Sequence, residues 1–441
     1  MMKDDMIASL DDKYKFLSKS CDVKGDVKDG KLSSYTFSLK DAIWLKDVEA
    51  TASSEILSGF SPVENSTVAQ KTLDAGGRII GKTTQDAFGF GTFCTNVGKG
   101  YRIPLNPSDI TRSVGGSSGG AACAAKLIDN HISIAESTGG SITTPASFTG
   151  VVGLCPTYGR ISRHGLITYS SSFDKIGLMS RNVKDSAIAL EVISGKDPKD
   201  ETSSDAQVDD YISAVEDYNE IVSGMRVGIL SFDGVDEAIT QRIGVLAEAM
   251  EEKCAEVSRI ELPYTKRFSL SAYYIIAMAE ASTHLASLSG LRYGKGGAIS
   301  KPYNEYFTDV RTDGFTEEAK RRIMIGTFVR MAGYRGKYYE KALKVRKRII
   351  DEYKEIFSKY DAILCPSAPC VAPRFDEIDN MSLSQVYSMD SITAGPNLAG
   401  LPNISIPVEE EGKLPFGLML IADHFQESKI MALGSLLEVL R

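Results

Sequence analysis

Histidine is scarce in this sequence, with four in 441 residues, and the four are scattered along the chain. None lies at a spacing that would place two imidazoles on one helix face, so they predict no metal site and are expected to be surface or packing residues. Seven cysteines without a Cys-x-x-Cys pair argue against both a disulfide framework and a zinc site. A serine nucleophile in such a chain would need a base other than histidine, and lysine is the main alternative.

Long apolar runs and an excess of positive charge are also missing. No apolar stretch approaches the roughly 20 residues that a membrane-spanning helix needs, and the charged residues 1–16 lack the apolar core of a signal peptide. Lysine and arginine number 50 against 58 acidic residues, and the net charge of −8 disfavours a chain that binds nucleic acid by itself. Together with the unpaired thiols, this composition predicts a cytoplasmic protein without membrane contact.

What the sequence does contain is glycine and serine in two short clusters. The first is Gly-Gly-Ser-Ser-Gly-Gly at 115–120, and the second is Thr-Gly-Gly-Ser at 138–141. Paired glycines accept positive φ, admit a substrate close to the backbone and expose successive N–H groups, which an oxyanion hole requires. The alanine-rich segment 119–127 predicts a helix and the apolar run 132–135 a strand, so both clusters can meet at one end of a sheet.

Two other interpretations of these clusters are weaker. Gly-Ser segments are most often linkers or turns, but two of them separated by a compact apolar segment within a globular sequence do not form a flexible linker. A phosphate-binding P-loop needs a lysine after its last glycine, and alanine follows Gly120 instead. The clusters therefore favour neither a linker nor a nucleotide site.

Strand and helix patterns alternate along the rest of the chain. Apolar and polar residues alternate from residue 35, which predicts a strand with Lys40 at its end, beside hydroxyl side chains. Further strands are predicted over 78–81, 151–154, 226–230, 259–262, 362–365, 404–408 and 416–421, and helices over 66–75, 182–194, 236–253, 269–290, 317–333, 338–360 and 428–440. Residues 158–174 are predicted to be surface-facing loops. The pattern predicts an α/β fold with a large mixed β-sheet covered by helices on both faces.

The helix predicted over 338–360 carries a basic stripe on one face. Its members are spaced by three or four residues and are Lys337, Lys341, Lys344 and Arg348. The apolar seam of the same helix is predicted to include Leu343, Ile350, Tyr353 and Phe357. Such a stripe is most often a solvated face, and a contact to nucleic acid or to a partner protein is the minority interpretation.

The glycine-serine motifs resemble those of the amidase signature family. The match rests on GGSSGG, on STGGSITTPAS ending at Ser147, and on an upstream Ser-Leu-Lys-Asp. Longer segments, among them PTYGRISRHGLI and NLAGLPNISIPV, are similar to GatA, the branch of the family that forms the A subunit of tRNA-dependent glutamyl-tRNA(Gln) amidotransferase. The resemblance covers about residues 33–440 and implies the amidase-signature fold. We expect a single amidase domain over 1–441, with a catalytic core at 33–195, an inserted βαβ-like unit at 223–265, and substrate-binding helices and closing strands at 266–441.

The resemblance implies a Ser-Ser-Lys triad. Matched motif by motif, Ser141 is the nucleophile, Ser117 is the bridging serine, and Lys40 is the base. A buried lysine can accept a proton because burial disfavours its charged form. The backbone N–H groups of the loop that ends at Ser141 would hold the oxyanion, and they belong to Thr138, Gly139, Gly140 and Ser141 itself.

The same resemblance implies a set of glutamine contacts: Tyr273, Arg322 and Asp390. An arginine and an aspartate suit the α-carboxylate and the α-ammonium group of free glutamine. Arg322 also shares a helical face with small and apolar residues, which is not the pattern of a solvent-exposed arginine. The family commonly has an acid before Thr-Gly-Gly-Ser and an arginine after Gly-Gly-Ser-Ile, where this chain has Ser137 and Thr143, so a compensated change in the oxyanion loop is expected.

The resemblance further implies an assembly. It places ATP and Mg²⁺ on a GatB-type subunit that carries the kinase and transamidase steps and holds Glu-tRNA(Gln), with a small GatC-type subunit joining the two. No cofactor is expected in this chain. Two alternatives remain at this point: a stand-alone amidase acting on another small amide, which would not need Arg322 and Asp390, and a catalytically silent assembly subunit, which would not need Lys40, Ser117 and Ser141 together.

Overall fold

The structure is a computed structural model that describes residues 3–297 and 300–441. Within these ranges eleven strands form one mixed sheet: β1 (Leu17–Lys24), β2 (Thr36–Lys40), β3 (Arg78–Thr83), β4 (His131–Ser137), β5 (Val152–Cys155), β6 (Lys175–Ser180), β7 (Arg226–Leu230), β8 (Glu256–Ile260), β9 (Ala362–Pro366), β10 (Asn403–Val408) and β11 (Phe416–Ile421). Their order across the sheet is β1-β3-β2-β4-β6-β5-β10-β11-β9-β7-β8. The mixed α/β architecture predicted from the sequence is therefore confirmed.

Helices cover the sheet. Over the described residues they are α1 (Lys3–Tyr14), α2 (Thr67–Asp74), α3 (Gly119–Leu127), α4 (Thr143–Thr149), α5 (Val183–Ile193), α6 (Tyr211–Glu216), α7 (Tyr218–Val222), α8 (Glu237–Glu251), α9 (Pro263–His284), α10 (Tyr303–Gly314), α11 (Glu317–Arg330), α12 (Tyr339–Phe357), α13 (Phe375–Asp379), α14 (Leu383–Ser388), α15 (Ala394–Ala399) and α16 (Glu427–Leu440). Helices α3 and α4 contact each other and the central strands, and α5 and α16 form a second layer against the same strands. Within residues 3–297 and 300–441, no helix has both the length and the apolar character to cross a membrane.

Strand β2 explains how a lysine comes to lie inside the protein. All five of its residues are buried, and it pairs in parallel with β3 on one edge and with β4 on the other. Strands enclosed in this way are typical of the interior of α/β sheets. Because Lys40 is the last residue of β2, the strand carries its amine to the carboxyl edge of the sheet rather than to solvent.

Several predicted elements are confirmed with the bounds expected from the pattern. The helix over 119–127 and the strand over 416–421 match α3 and β11. Helix α2 begins after Ser66, whose side chain accepts the Ala69 N–H at 3.3 Å. A serine at this position satisfies a backbone donor that the first helical turn leaves free, which is why this start could be predicted.

Other predictions are wrong. The segment 158–174 is not a set of surface-facing loops, because Tyr169, Phe173 and Asp174 are buried. In helix α12 the predicted seam is right for Tyr353, which is buried with Ala342 and Ile349, and for Ile350 and Phe357, which pack partly buried against the core. It is wrong for Leu343, which is 37% exposed. The basic stripe, in contrast, agrees with the prediction of a solvated face, because all four of its residues are exposed.

The β7–α8–β8 unit extends the main sheet. Its two strands are parallel, and β7 also pairs in parallel with β9. A strand, a helix and a parallel strand form the βαβ arrangement predicted for this segment. The unit lies at one end of the sheet, with β2 and β4 in the other half.

Candidate active site

Lys40 lies at the centre of a buried cluster of polar groups. Its side chain is fully buried, and Nζ donates hydrogen bonds to Ser117 Oγ at 2.7 Å, to the Glu136 carbonyl at 2.9 Å and to Glu136 Oε2 at 2.8 Å. The lysine ends β2, Glu136 lies near the end of β4, and the serine lies in the loop before α3. Because β2 and β4 are adjacent and parallel, their carboxyl ends meet at one edge of the sheet, which is where α/β proteins commonly place their sites.

The loop that presents Ser117 requires glycine. A Cβ at Gly116 would lie 2.1 Å from Asp86 Oδ2 and 2.6 Å from Cys94 N. Asp86 is buried beneath this loop and accepts the backbone N–H groups of Cys94 at 2.9 Å and Asn96 at 2.8 Å. Burial raises the pKa of the Asp86 carboxyl to about 6. The first glycine cluster is thus a tightly packed support for one hydroxyl, and at Gly116 the close approach that glycine allows is to protein atoms rather than to a substrate.

The second glycine cluster forms the loop between β4 and α4. The Gly139 carbonyl accepts hydrogen bonds from Ser137 Oγ and from Asn397 Nδ2, both at 2.7 Å. In a trans peptide the carbonyl and the following N–H point to opposite sides. The N–H of Gly140 is therefore turned away from Ser137 and Asn397, toward Asp390, whose carboxylate it stabilises.

One of the two residues that depart from the family pattern holds this loop through its hydroxyl group. Ser137 binds the Gly139 carbonyl, and Thr143 Oγ1 lies 3.5 Å from the Gly140 carbonyl. The Gly140 carbonyl also accepts the Thr144 N–H at 2.8 Å. The Ser137 hydroxyl therefore anchors the loop through the Gly139 carbonyl, whereas the Thr143 hydroxyl lies too far from the Gly140 carbonyl for a strong hydrogen bond.

Ser141 is the most accessible member of the predicted triad. It is 7% exposed, whereas Lys40 and Ser117 are fully buried. The Ser118 N–H donates to the Ser141 carbonyl at 3.2 Å, which joins the two serine loops. Among the described residues no hydrogen bond connects Ser141 Oγ with Ser117 Oγ, so the structure brings the two loops together without forming the serine–serine link.

A second carboxyl group, that of Asp174, lies on the other side of Thr138 from Glu136. Thr138 Oγ1 lies 2.8 Å from Glu136 Oε1 and 2.8 Å from Asp174 Oδ1. Asp174 also accepts the N–H groups of Tyr169 at 2.9 Å and of Ser170 at 2.9 and 3.0 Å. Burial, followed by the negative charge of Glu136, raises the pKa of Asp174 to about 8. The raised pKa favours the protonated acid at neutral pH, against the hydrogen bonds from Ser170 and Thr138, which favour the carboxylate.

Arg322 is buried in a cage of aromatic rings. It is 3% exposed, its guanidinium lies 4.9 Å from the ring centroid of Phe90 and 5.5 Å from that of Tyr274, and Nη1 donates to the Tyr169 hydroxyl. Its Nε donates to Glu318 Oε1 at 2.8 Å. Ring faces attract a cation without competing for all of its N–H groups, so the cage holds the arginine in place while leaving donors for a carboxylate.

The other two predicted glutamine contacts border the oxyanion loop. Asp390 Oδ2 accepts the Tyr274 hydroxyl at 2.5 Å, and burial raises the pKa of the Asp390 carboxyl. The hydroxyl of Tyr273 lies against Gly139, where a Cβ would be 2.8 Å from it. Tyr273 and Asp390 therefore lie against the loop that carries Ser141, and Arg322 is linked to them through Tyr274, whose ring it faces and whose hydroxyl binds Asp390.

Sequence reasoning missed five residues of this cluster: Glu136, Tyr169, Asp174, Tyr274 and Glu318. For Glu136 a signal existed, because a single carboxylate interrupts a segment of small and apolar residues directly before the oxyanion loop. No such signal existed for Asp174, because the composition of its segment is typical of a surface loop. In the described part of the chain, no three His, Cys, Asp or Glu side chains are grouped so that they could hold a metal ion.

Comparisons with known proteins agree with this geometry. A model of the Amidase family matches residues 18–431. The chain is 42% identical over 407 residues to the A subunit of glutamyl-tRNA(Gln) amidotransferase from Trichodesmium erythraeum, and the alignment covers 91% of this chain and 82% of the relative. It is 40% identical over 408 residues to the protein of the same name from Staphylococcus epidermidis, covering 92% and 83%.

Solved structures give the same result. The crystal structure of the A subunit of glutamyl-tRNA(Gln) amidotransferase from Thermotoga maritima superposes with a TM-score of 0.80 at 35% identity, covering 98% of this chain and 88% of that one. The structure of 6-aminohexanoate cyclic dimer hydrolase has a TM-score of 0.82 at 20% identity, covering 99% and 92%, and shares the fold. With the family model matched over residues 18–431 and relatives at about 40% identity, the chain belongs to the amidase family.

Proposed function

We propose that this chain is the glutaminase subunit of a tRNA-dependent amidotransferase. It hydrolyses glutamine and supplies the ammonia that converts Glu-tRNA(Gln) into Gln-tRNA(Gln). The observation that carries the proposal is the 2.7 Å hydrogen bond between Lys40 Nζ and Ser117 Oγ, in a buried site next to the Ser141 loop. The relatives named above support the choice of glutamine and of the tRNA-dependent assembly.

The first half of the reaction acylates Ser141. As its Oγ bonds to the side-chain carbonyl carbon of glutamine, its proton passes to Ser117 Oγ, and the Ser117 proton passes to Lys40 Nζ. This relay needs Ser141 Oγ to approach Ser117 Oγ when substrate is bound, because catalytic hydrogen bonds often tighten only then. When the C–N bond breaks, the proton returns along the same path to the leaving nitrogen, and ammonia departs.

The second half hydrolyses the ester. Water adds to the glutamyl-Ser141 carbonyl, its proton enters the same relay, and glutamate is released as Ser141 Oγ is protonated. Both halves pass through an oxyanion. The N–H groups of Thr138, Gly139, Gly140 and Ser141 are assigned to it, in a loop whose Gly139 and Gly140 carbonyls are already bonded to the protein. The Gly140 N–H faces Asp390 in the structure, so its part in this role requires it to exchange that partner for the oxyanion.

Free glutamine is selected by its α-groups. Arg322 has a charge suited to the α-carboxylate and Asp390 one suited to the α-ammonium, with the Tyr273 hydroxyl beside the loop. Within the protein, the Arg322 guanidinium is paired with Glu318 and the Asp390 carboxylate with the Tyr274 hydroxyl. Glutamine binding therefore exchanges internal partners for substrate groups, which limits the desolvation cost.

The ATP and tRNA steps are assigned to other subunits. The chain carries a net charge of −8 and no P-loop or kinase motif. We infer a GatB-type partner for phosphorylation and transamidation, with ATP and Mg²⁺ bound there, and a GatC-type partner that joins the two chains. The exposed basic stripe, which begins at Lys337 before α12 and continues along that helix to Arg348, is at most an auxiliary contact.

Co-purification and a rate comparison test the proposal. The chain is expected to purify with two companion subunits, and its glutaminase activity is expected to rise when those subunits, ATP and Glu-tRNA(Gln) are added. A gel shift with the isolated chain should detect only weak, salt-sensitive tRNA binding. Full hydrolysis by the isolated chain, or tight and specific tRNA binding by it, would support a stand-alone amidase or a different assembly.

A further inference from the structure

We infer that Glu136 is a positioning residue of the reaction: it orients the Lys40 amine toward Ser117 and supplies the countercharge when that amine is protonated. The inference rests on the proposed Ser-Ser-Lys mechanism and adds to it a residue that the triad does not contain. Glu136 is 3% exposed and contributes two of the three hydrogen-bond acceptors around Lys40 Nζ, its carbonyl and its carboxylate.

The positions of these acceptors suit both protonation states of Lys40. A neutral amine has two N–H donors and one lone pair. If its two N–H groups bind the Glu136 carbonyl at 2.9 Å and Oε2 at 2.8 Å, the lone pair points at Ser117 Oγ, 2.7 Å away. An ammonium group fits the same three positions, with its third N–H on Ser117. Only the proton between Nζ and Oγ then changes place during the relay.

The carboxylate of Glu136 is itself fixed from behind. Thr138 has one hydroxyl proton but lies 2.8 Å from a carboxyl oxygen on each side, Glu136 Oε1 and Asp174 Oδ1. Both contacts can be hydrogen bonds only if one of the two carboxyl groups carries a proton. The proton belongs on Asp174, because Glu136 faces the lysine. Asp174 then donates to Thr138, and Thr138 donates to an ionised Glu136.

The negative charge of Glu136 matters because the site around Lys40 is enclosed. A Cβ at Gly89 would lie 3.5 Å from Glu136 Oε2 and 3.6 Å from Ser117 Oγ, so backbone closes this side of the cluster. In an enclosed site a cation cannot rely on water for stabilisation, and a carboxylate in contact with it replaces that solvation. Asp86 and Cys94, behind the Ser117 loop, also interact electrostatically with Lys40, while Asp174 interacts with Glu136 and Arg322 interacts with Asp86.

The test compares two carboxylate-to-amide variants in the chain assembled with its companion subunits. Glu136→Gln keeps the shape and an acceptor oxygen but removes the charge, and Glu438→Gln makes the same change at a half-buried carboxylate in α16. The readouts are the pH dependence of Ser141 labelling by a fluorophosphonate and that of kcat/KM for glutamine. Labelling reports activation of the nucleophile even if glutamine is not the substrate, so it separates this inference from the proposed function.

For Glu136→Gln we expect the acid limb of both pH profiles to move to lower pH by about one unit or more, because the Lys40 ammonium has lost its countercharge. The plateau should fall by about 10- to 100-fold with KM unchanged, since the amine is less well oriented. Glu438→Gln should leave both profiles in place. An unshifted acid limb with a plateau within about twofold of wild type in a folded Glu136→Gln protein would overturn the inference.

A second pair of variants keeps the test decisive if Glu136→Gln does not fold. Thr138→Val is close to isosteric and removes the hydroxyl that fixes Glu136. Thr72→Val makes the same change at a buried threonine of α2, whose hydroxyl donates to the Val68 carbonyl. We expect the plateau of Ser141 labelling to fall severalfold in Thr138→Val and to stay near wild type in Thr72→Val. Equal labelling rates in the two variants would contradict the role assigned to Glu136 and its support.

Discussion

The reacting half and the recognition half of the candidate site are built from different parts of the fold. Lys40 lies at the end of a strand, and Ser117 and Ser141 lie in glycine loops at the same sheet edge. Tyr273 and Arg322 lie on helices α9 and α11, and Asp390 lies between two short helices. Strands in a shared sheet fix relative positions through backbone hydrogen bonds, whereas the helices are held by side-chain packing. The geometry of the reaction is therefore set by the sheet.

The two halves also treat charge differently. Lys40 has all its hydrogen-bond positions filled within the protein by Ser117 and Glu136. Arg322 and Asp390 have internal partners that a ligand can replace, Glu318 and the Tyr274 hydroxyl. Rate and recognition can therefore be changed separately. Substitutions at the sheet edge should change kcat, and substitutions of the helical residues should change KM. The following changes test that separation.

Removing the nucleophile should have the largest effect. Ser141→Ala is expected to abolish glutamine hydrolysis, and Ser117→Ala and Lys40→Ala should each lower kcat by several orders of magnitude, because the three act as one proton-transfer unit. KM should change little. Ser133→Ala is the control, since Ser133 is a buried serine of β4 bonded to the Ala121 carbonyl. Near wild-type turnover by a folded Lys40→Ala protein would exclude lysine as the base.

Arg322→Ala should act on recognition instead. Loss of a charge-assisted contact to a buried group costs about 2–5 kcal/mol, which corresponds to a rise in KM of about 30-fold or more. Amides without an α-carboxylate should be unaffected relative to wild type. Arg330→Ala, on the same helix with Ser282 Oγ as its partner, provides the control. An unchanged KM for glutamine in Arg322→Ala would favour the stand-alone amidase.

Asp390 predicts a pH dependence of binding. Burial raises the pKa of its carboxyl, so the carboxylate that pairs with the α-ammonium is lost at a higher pH than for an ordinary aspartate. KM for glutamine should therefore rise as the pH falls through the raised pKa of Asp390. Asp390→Asn should raise KM by about tenfold, the value of one charge-assisted hydrogen bond, and should flatten its pH dependence. A KM that rises with falling pH equally in both proteins would assign the titration to another group.

Asp174→Asn should affect stability rather than turnover, because the asparagine amide can still donate a hydrogen bond to Thr138. The pKa of Asp174 is about 8 in the folded chain and about 3.9 for an unfolded aspartate, so the folded state holds the proton more tightly. The stabilisation it gives is complete below about pH 4 and is lost as pH rises toward 8. Asp174→Asn cannot ionise, and its free energy of unfolding relative to wild type should rise by more than about 1.4 kcal/mol between pH 5 and pH 8. Denaturant unfolding at both pH values measures this difference, and a constant difference would show that Asp174 is ionised when folded.

Lys40, Ser117 and Ser141 could be predicted from the sequence, whereas the placement of the carboxyl groups behind them, those of Glu136 and Asp174, could not. Glycine clusters and a strand-end lysine are local patterns, so the loops, α3 and the end of β2 could all be anticipated from the residues themselves. The contact between Lys40 and Glu136 depends on which strands are neighbours, and nothing in the segment around either residue states that β2 lies beside β4. The segment of Asp174 is covered by helices distant in sequence, with Glu280 of α9 bound to Ser170 and Arg322 of α11 bound to Tyr169, whereas its polar, glycine-rich composition suggested an exposed loop.

The order of strands in the sheet has a consequence for biosynthesis. Strands β10 and β11 occupy the middle of the sheet, with β5 bonded to one side and β9 to the other. Residues 403–421 leave the ribosome after the residues that form the other nine strands, so the two parts of the sheet cannot join until then. Such long-range pairing is slow and leaves strand edges exposed while synthesis continues. A nascent chain that already contains Lys40, Ser117 and Ser141 therefore still lacks two strands of its sheet. A translation stall before residue 403 yields a species suited to binding by chaperones rather than to the hydrolysis of glutamine.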